Sequence, residues 1–219
     1  MTAEANPWDV TRWDLVSWDV DGTLYSMPAV KRAVIRRALL GLFSFRIVRN
    51  IREFSSLGRF RKQMAAVRDA GGALPEDALA GRDSLLEAER RWYGPAIGKV
   101  GLAPGVLALM AAFDDAGVPQ VVVSDYVADY KLAALGLSGR FERAYAGETV
   151  GQLKPSPELF RVLLAEHDVD PARVLHIGDR DDTDGIAART AGCQVVIIGE
   201  QFATAQHLLE AVERKQLGS

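Results

Sequence analysis

Leu15-Val16-Ser17-Trp18-Asp19-Val20-Asp21-Gly22-Thr23-Leu24 is the stretch on which the fold turns. A short apolar run that ends in two carboxylates and a glycine reads as a strand buried on both faces that stops at a sharp turn. Asp19 and Asp21 are separated by one residue, so in a continuing strand they share a face. Similar runs recur at 118–124, 174–178 and 193–199, and a fainter one at Arg143-Ala144-Tyr145-Ala146. Helical patterns fill the intervals at 106–116, 128–135, 157–166, 183–191 and 203–214. Gly117 and Gly136 stand where helix ends are expected, and Ser156-Pro157 where one begins. Strands alternating with helices predict an α/β protein: a parallel sheet with helices on both faces.

One region breaks the alternation. Between Tyr25 and about residue 100 there is no strand pattern, and Val30, Val34, Leu39, Leu42 and Phe43, then Leu79, Leu85, Leu86 and Trp92, recur at helical spacing. The expected organisation is therefore a core formed by 1–26 and 100–219 with an all-helical insert at 27–99. Charge divides along the same line. Residues 27–68 hold eleven lysines and arginines against Glu53 alone, net +10, which leaves −13 for the remainder of a chain of net charge −3. Such a contrast suggests an anionic partner for the basic part.

A chain of 219 residues, 48% hydrophobic and 25% charged, can bury a sizeable core. Cys193 is the only cysteine, which rules out an intrachain disulfide and any zinc site built on cysteines. The first nine residues lack the basic start and apolar run of a secretory signal, and no apolar stretch approaches the roughly 20 residues of a spanning helix. A cytoplasmic protein without a membrane span is expected.

In a doubly wound sheet, ligands sit beyond the carboxyl ends of the strands, and Asp19, Ser124 and Asp179 all fall at such ends. Two carboxylates at one strand end can divide labour, one as nucleophile and the other as proton shuttle. They also repel a phosphate dianion, so cations must compensate. Lys154 supplies one charge, and Mg2+ on hard oxygen ligands from Asp19, Asp179 and the Asp21 segment supplies the rest. The Ser124 hydroxyl, with nearby backbone amides, can hold phosphoryl oxygens in line for attack.

In this order, Asp19-Val20-Asp21-Gly22-Thr23-Leu24, Val121-Val122-Val123-Ser124, Leu153-Lys154-Pro155 and Gly178-Asp179 with Asp184 resemble motifs I to IV of the haloacid dehalogenase-like hydrolases. The resemblance spans the core from Leu15 to Gly199 and points to the phosphatase branch, phosphoglycolate phosphatase-like, with a helical cap between motifs I and II on a Rossmann-like core. It implies that Asp19 forms an aspartyl-phosphate, that Asp21 is general acid and then base, that Ser124 and Lys154 bind the phosphoryl group, and that Mg2+ is held by Asp19, Asp21, Asp179 and Asp184. For Asp184 it implies support of the metal through its water shell, or orientation of Lys154. Tyr25 and Ser26 would begin the element that moves on cap closure. Dehalogenases of the family lack the second acid of motif I; Asp21 is present here, which favours phosphoryl chemistry. Arg180, Asp181 and Asp182 depart from the usual composition around motif IV.

Each residue has a plain alternative. Singly, an Asp-x-Asp is a solvated turn, Ser124 a strand-end cap, Lys154-Pro155 a loop, and Asp184 a helix cap. His176 is expected to pack in the core, His167 and His207 to be exposed, Cys193 to act as a small hydrophobe, and Trp8, Trp13 and Trp18 to reinforce the first strand. The arginines of the insert either coat its outer face, grip a second anionic group of the substrate, or meet anionic lipid or nucleic acid beside Val34, Leu39, Phe43 and Phe45. The expected activity is Mg2+-dependent hydrolysis of a small phosphorylated metabolite. The alternatives are a mutase or phosphotransferase using the same intermediate, and a noncatalytic protein binding an anionic partner through the insert.

Overall fold

The computed structural model describes residues 8–41 and 47–213. Expectations resting on residues 1–7, on Leu42, Phe43, Phe45 and Arg46, or on 214–219 lie outside the described residues. Strands β1 (Leu15–Trp18), β2 (Gln120–Ser124), β3 (Ala144–Ala146), β4 (Val174–Gly178) and β5 (Gln194–Ile197) form one sheet, ordered β3-β2-β1-β4-β5, with every pair parallel. The three central strands are buried at every position, while β3 opens on exposed Ala144 and β5 on exposed Gln194. That is the burial expected when only the edges meet water.

Helices cover both faces, and alternate residues of the strands face opposite ways. Val16 and Trp18 of β1 and Val122 of β2 pack with Leu109, Met110 and Phe113 of α4 (Val106–Asp115) and with Leu208, Leu209 and Val212 of α9 (Ala205–Glu213). On the other face, Leu15, Val121 and Val123 pack with Leu159, Phe160 and Leu163 of α7 (Glu158–His167) and Ala187 and Ala188 of α8 (Ile186–Thr190). Trp18 is fully buried, edge-on to Phe113, and its indole N–H donates to the Gln120 side chain at 3.0 Å. Trp13 also joins the core, and Trp8 packs edge-on against Phe202.

Sequence and structure differ in detail at helix starts. The helix expected at 157–166 begins at Glu158, and Ser156 Oγ accepts the Glu158 N–H at 3.4 Å from outside it. The pattern at 183–191 splits into a wide turn, Asp181–Gly185, followed by α8. That turn sets the position of Asp184.

Between β1 and β2 come α1 (Met27–Gly41), α2 (Ile47–Asp69) and α3 (Arg82–Val100), then α4, with no strand among the described residues. α3 packs on α1, on α2 and on the short α5 (Asp129–Ala134) that follows β2. A second junction is made by backbone: Leu153 N–H donates to Gly72 at 2.8 Å and Leu74 N–H to Gly151 at 3.0 Å, around an antiparallel bridge of Ala73 with Gln152. A third is ionic. Arg82, at the start of α3, donates to Glu148 of α6 (Gly147–Val150) at 2.6 Å and to Glu89 at 3.1 Å, while Glu148 also accepts the Val127 N–H at 2.7 Å.

Candidate active site

The chain winds to one side of β1 through β2 and β3 and to the other side through β4 and β5, which leaves a crevice beyond the carboxyl ends of β1 and β4. Asp19 follows β1 and Asp179 follows β4, so both project into it. The crevice opens into a cavity of about 440 Å³ whose lining includes Asp19, Asp21, Ser124, Lys154, Asp179 and Asp184. All six residues named from the sequence therefore meet in one place.

Lys154 lies at the centre. Its ammonium, 3% exposed, donates to Asp19 at 2.6 Å, to Asp184 at 2.5 Å and to the Val123 carbonyl at 3.2 Å. Its backbone N–H donates to Asp125 Oδ1 at 2.8 Å, and the Lys154–Pro155 peptide bond is cis. Burial alone would push the ammonium down, but the carboxylates of Asp184 and Asp19 outweigh it and hold the group charged. Asp184 is buried as well; Lys154 and His176 outweigh that burial and hold its carboxyl well below the usual range. Its Oδ2 accepts the N–H groups of Asp179 and Arg180 at 3.3 and 3.2 Å, which fixes the β4 exit. His176 is a core residue, as expected, yet it reaches Asp184 at 3.4 Å and is itself held by the Ser17 hydroxyl at 2.9 Å.

Asp19, Asp179 and Asp184 offer carboxylate oxygens that all lie within 4.8 Å of one another. Burial, aggravated by this crowding of like charge, raises the Asp19 carboxyl well above its ordinary value and brings Asp179 to about 6. Three converging carboxylates with a single ammonium among them are an incomplete charge balance. A divalent cation on hard oxygen ligands fits both the donor set and the charge deficit. Close backbone approach makes the cluster possible. Gly22 has φ +114°, and a Cβ there would stand 1.9 Å from Asp179 Oδ2; a Cβ on Gly178 would stand 2.6 Å from Asp184 Cβ.

The carboxylate of Asp21 turns elsewhere. It accepts from the Tyr25 hydroxyl and, at 2.5 Å, from the ammonium of Lys131, which is almost fully buried. Burial would raise this carboxyl, but the Lys131 charge and these two hydrogen bonds outweigh it and set it below its ordinary value. Ser124 Oγ accepts the Tyr126 N–H at 3.4 Å at the end of β2. Asp125, next to it, accepts Arg68 Nε of α2 at 2.7 Å, and Arg68 also donates to the Tyr126 hydroxyl at 2.9 Å.

Several residues of the cavity escape a reading of the sequence. Lys131 sits on a six-residue helix whose pattern marks Leu132 as apolar but gives no reason for a lysine beside it to face inward. Four of the five tyrosines, Tyr25, Tyr93, Tyr126 and Tyr130, line the cavity with Phe60 and Arg61, and the Arg61 guanidinium stacks over Tyr93 at 4.2 Å. Tyr25 at i+4 from Asp21 is the one signal that spacing carries.

A family model for haloacid dehalogenase-like hydrolases matches residues 13–192. The chain is similar to a phosphoserine phosphatase of Thermus thermophilus, 31% identical over 144 residues that cover 64% of this chain and 54% of the relative. It is also similar to a plasmid-encoded phosphoglycolate phosphatase of Cupriavidus necator, 35% identical over 117 residues, 52% of this chain and 50% of the relative. The chain thus aligns with about half the length of these curated relatives. Among solved structures, YfnB of Bacillus subtilis superposes with a TM-score of 0.68 at 16% identity over 94% of this chain and 99% of that one. CbbY of Rhodobacter sphaeroides does so with a TM-score of 0.59 at 23% identity over 84% and 85%. At such identities the likeness of structure speaks for the fold.

Proposed function

The chain belongs to the haloacid dehalogenase-like hydrolases, and from that premise we propose that it is a cytoplasmic Mg2+-dependent phosphatase of a small phosphorylated metabolite. The observation that carries this reading is Lys154, whose ammonium bridges Asp19 and Asp184 beside the third carboxylate, Asp179. The named relatives that are phosphatases support the same class.

Asp19 is the nucleophile: a carboxylate oxygen attacks phosphorus, the bond from phosphorus to the ester oxygen breaks, and Asp21 passes to that oxygen the proton brought in by the phosphate monoanion. Asp21 then takes a proton from water as the water oxygen attacks phosphorus, which releases phosphate and restores the Asp19 carboxylate. Lys131 and Tyr25 position the Asp21 carboxylate for both transfers. Ser124 and Lys154 hold the phosphoryl oxygens. Asp19, Asp179 and Asp184, with the Asp21 segment, would hold Mg2+, which supplies charge neutralisation for the incoming phosphate. Residues 27–99 act as the cap, joined to the core 1–26 and 100–219 through Arg68, Arg82 and the 72–74 edge. Arg61 and the tyrosines of the cavity meet the remainder of the substrate, including any second anionic group.

The test is release of inorganic phosphate from an aryl phosphate with and without Mg2+, in the wild type and in Asp19→Asn. Metal-dependent release that disappears in the variant is expected. A folded protein that releases none would shift the reading to an anion-binding module, and a transferred phosphate ester without net release would make it a phosphotransferase or mutase.

A further inference from the structure

The outer face of α1 and α2 combines two features that the catalytic chemistry does not use. Six large apolar side chains are exposed among the described residues, and four of them are here: Ile35 and Leu39 on α1, Val48 and Ile51 on α2, each more than half exposed. Leu107 and Ile186 stand singly on other helices, whereas these four fall within the last seven residues of α1 and the first five of α2. Leu39 precedes the end of α1 by two residues and Val48 follows the start of α2 by one. The five connecting residues can separate the helix ends by at most about 20 Å.

The second feature is charge. No acidic residue occurs between Asp21 and Glu53, while lysine and arginine recur throughout. Arg32, Ile35, Arg36 and Leu39 follow the i, i+3, i+4, i+7 spacing of one helix face and are all exposed, as are Val48, Ile51 and Arg52 on the next helix. Arg32, Arg36 and Arg37 with Lys99 also border a cleft of about 460 Å³ between α1 and α3, lined as well by Ala33, Pro95 and Ala96. Among the described residues no carboxylate lies within ion-pair distance of these four cations. Lys131, Arg68 and Lys154 of the catalytic cavity, by contrast, are each paired with an aspartate.

We propose that this face docks the protein on an anionic lipid bilayer. Apolar side chains flanked by arginine on the surface of a helix pair suit the boundary between headgroups and acyl chains, and each arginine near an anionic surface strengthens binding about fivefold. The cleft, whose cations have no carboxylate partner among the described residues, receives headgroup phosphates. Leu39 lies about 18 Å along α1 from Met27, which borders the catalytic cavity, so the apolar end of this face is set away from that cavity. A nucleic acid fits less well. Binding of bases calls for exposed aromatic platforms, and Trp92 and Phe54 pack against each other here instead. Another copy of the chain would bring like charge onto like charge if it used the same face.

The test is flotation of the full chain with vesicles of phosphatidylcholine alone and of phosphatidylcholine mixed with phosphatidylglycerol. Partition to the mixed vesicles alone, weakened by salt, is expected. Arg32→Gln with Arg36→Gln should lower the partition coefficient roughly thirtyfold, while Arg32→Lys with Arg36→Lys retains it within about threefold. Ile35→Ser with Leu39→Ser should lower it at unchanged charge. Every variant should keep the wild-type melting temperature, since these side chains are exposed. Equal or absent partition to the two vesicle types overturns the proposal, and so does indifference to both neutralising and polar variants. RNA binding or dimerisation that is lost in the same variants, without vesicle binding, overturns it in favour of those partners.

Discussion

Lys131 and Asp21 meet at 2.5 Å across 110 residues of sequence, with the ammonium almost fully buried and the carboxylate also held by Tyr25. The proton shuttle proposed for Asp21 is useful only when aimed, and this contact would do the aiming. Lys131→Met should therefore lower kcat for an aryl phosphate on the order of 10²-fold, the scale of a misplaced catalytic group. KM should change far less, and Lys131→Arg should recover part of the loss. A fall in KM-dependent terms alone, at unchanged kcat, would assign Lys131 to substrate binding instead.

Lys154 is the sole ammonium between two buried carboxylates. Lys154→Met should cost about 3–5 kcal/mol, because Asp19 and Asp184 are then left buried without a counter-charge. Urea unfolding measures it. Mg2+ should restore part of the stability in the variant, since it supplies charge to the same carboxylates.

Addition of Mg2+ should raise the melting temperature of the wild type. At a hundred times Kd the gain is about 2.7 kcal/mol, or about 5–10 °C for a chain of this size. Chelation should reverse it. Asp179→Asn should abolish the shift while leaving the metal-free melting temperature near the wild-type value, because removing a charge from a crowded cluster relieves repulsion.

Gly22→Ala should cost about 1–3 kcal/mol through strain at φ +114° and, more tellingly, should displace Asp179, whose Oδ2 occupies the space of the new methyl group. The expected signature is loss of the Mg2+-induced melting shift. Retention of the full shift would show that the Asp179 carboxylate moves aside without leaving the cluster.

The sheet was legible because buried parallel strands leave continuous apolar runs, and the site residues at strand ends because they stand at the ends of those runs. Asp19, Ser124 and Asp179 needed no more than that, whereas Lys154, eight residues beyond β3, came from the need for a counter-charge and from the motif resemblance. Lys131 and the Arg82–Glu148 pair were not legible, since the partners that explain them lie 110 and 66 residues away and no local period records such a meeting. Asp184 stood between. Its chain position left a helix cap open beside a role with the metal or with Lys154, and the wide turn Asp181–Gly185 carries it inside, onto Lys154. For the helical insert, periodicity gave the helices and composition gave the charge, but which arginines turn inward depends on packing: Arg68 reaches Asp125, while Arg32 and Arg36 face out.

The antiparallel edge at Gly72, Ala73 and Leu74 grips the residues immediately before Lys154. Anyone exchanging the insert for that of a relative, to change substrate preference, would therefore exchange a support of Lys154 too. Asp125 adds to this dependence, because one oxygen holds Arg68 and the other the Lys154 amide. The unit that can be transplanted is larger than the insert: it comprises the helices, the 72–74 edge, its partner at 151–153, and the Arg68–Asp125 contact. A graft cut at the helix ends alone would be expected to fold and bind, yet turn over slowly.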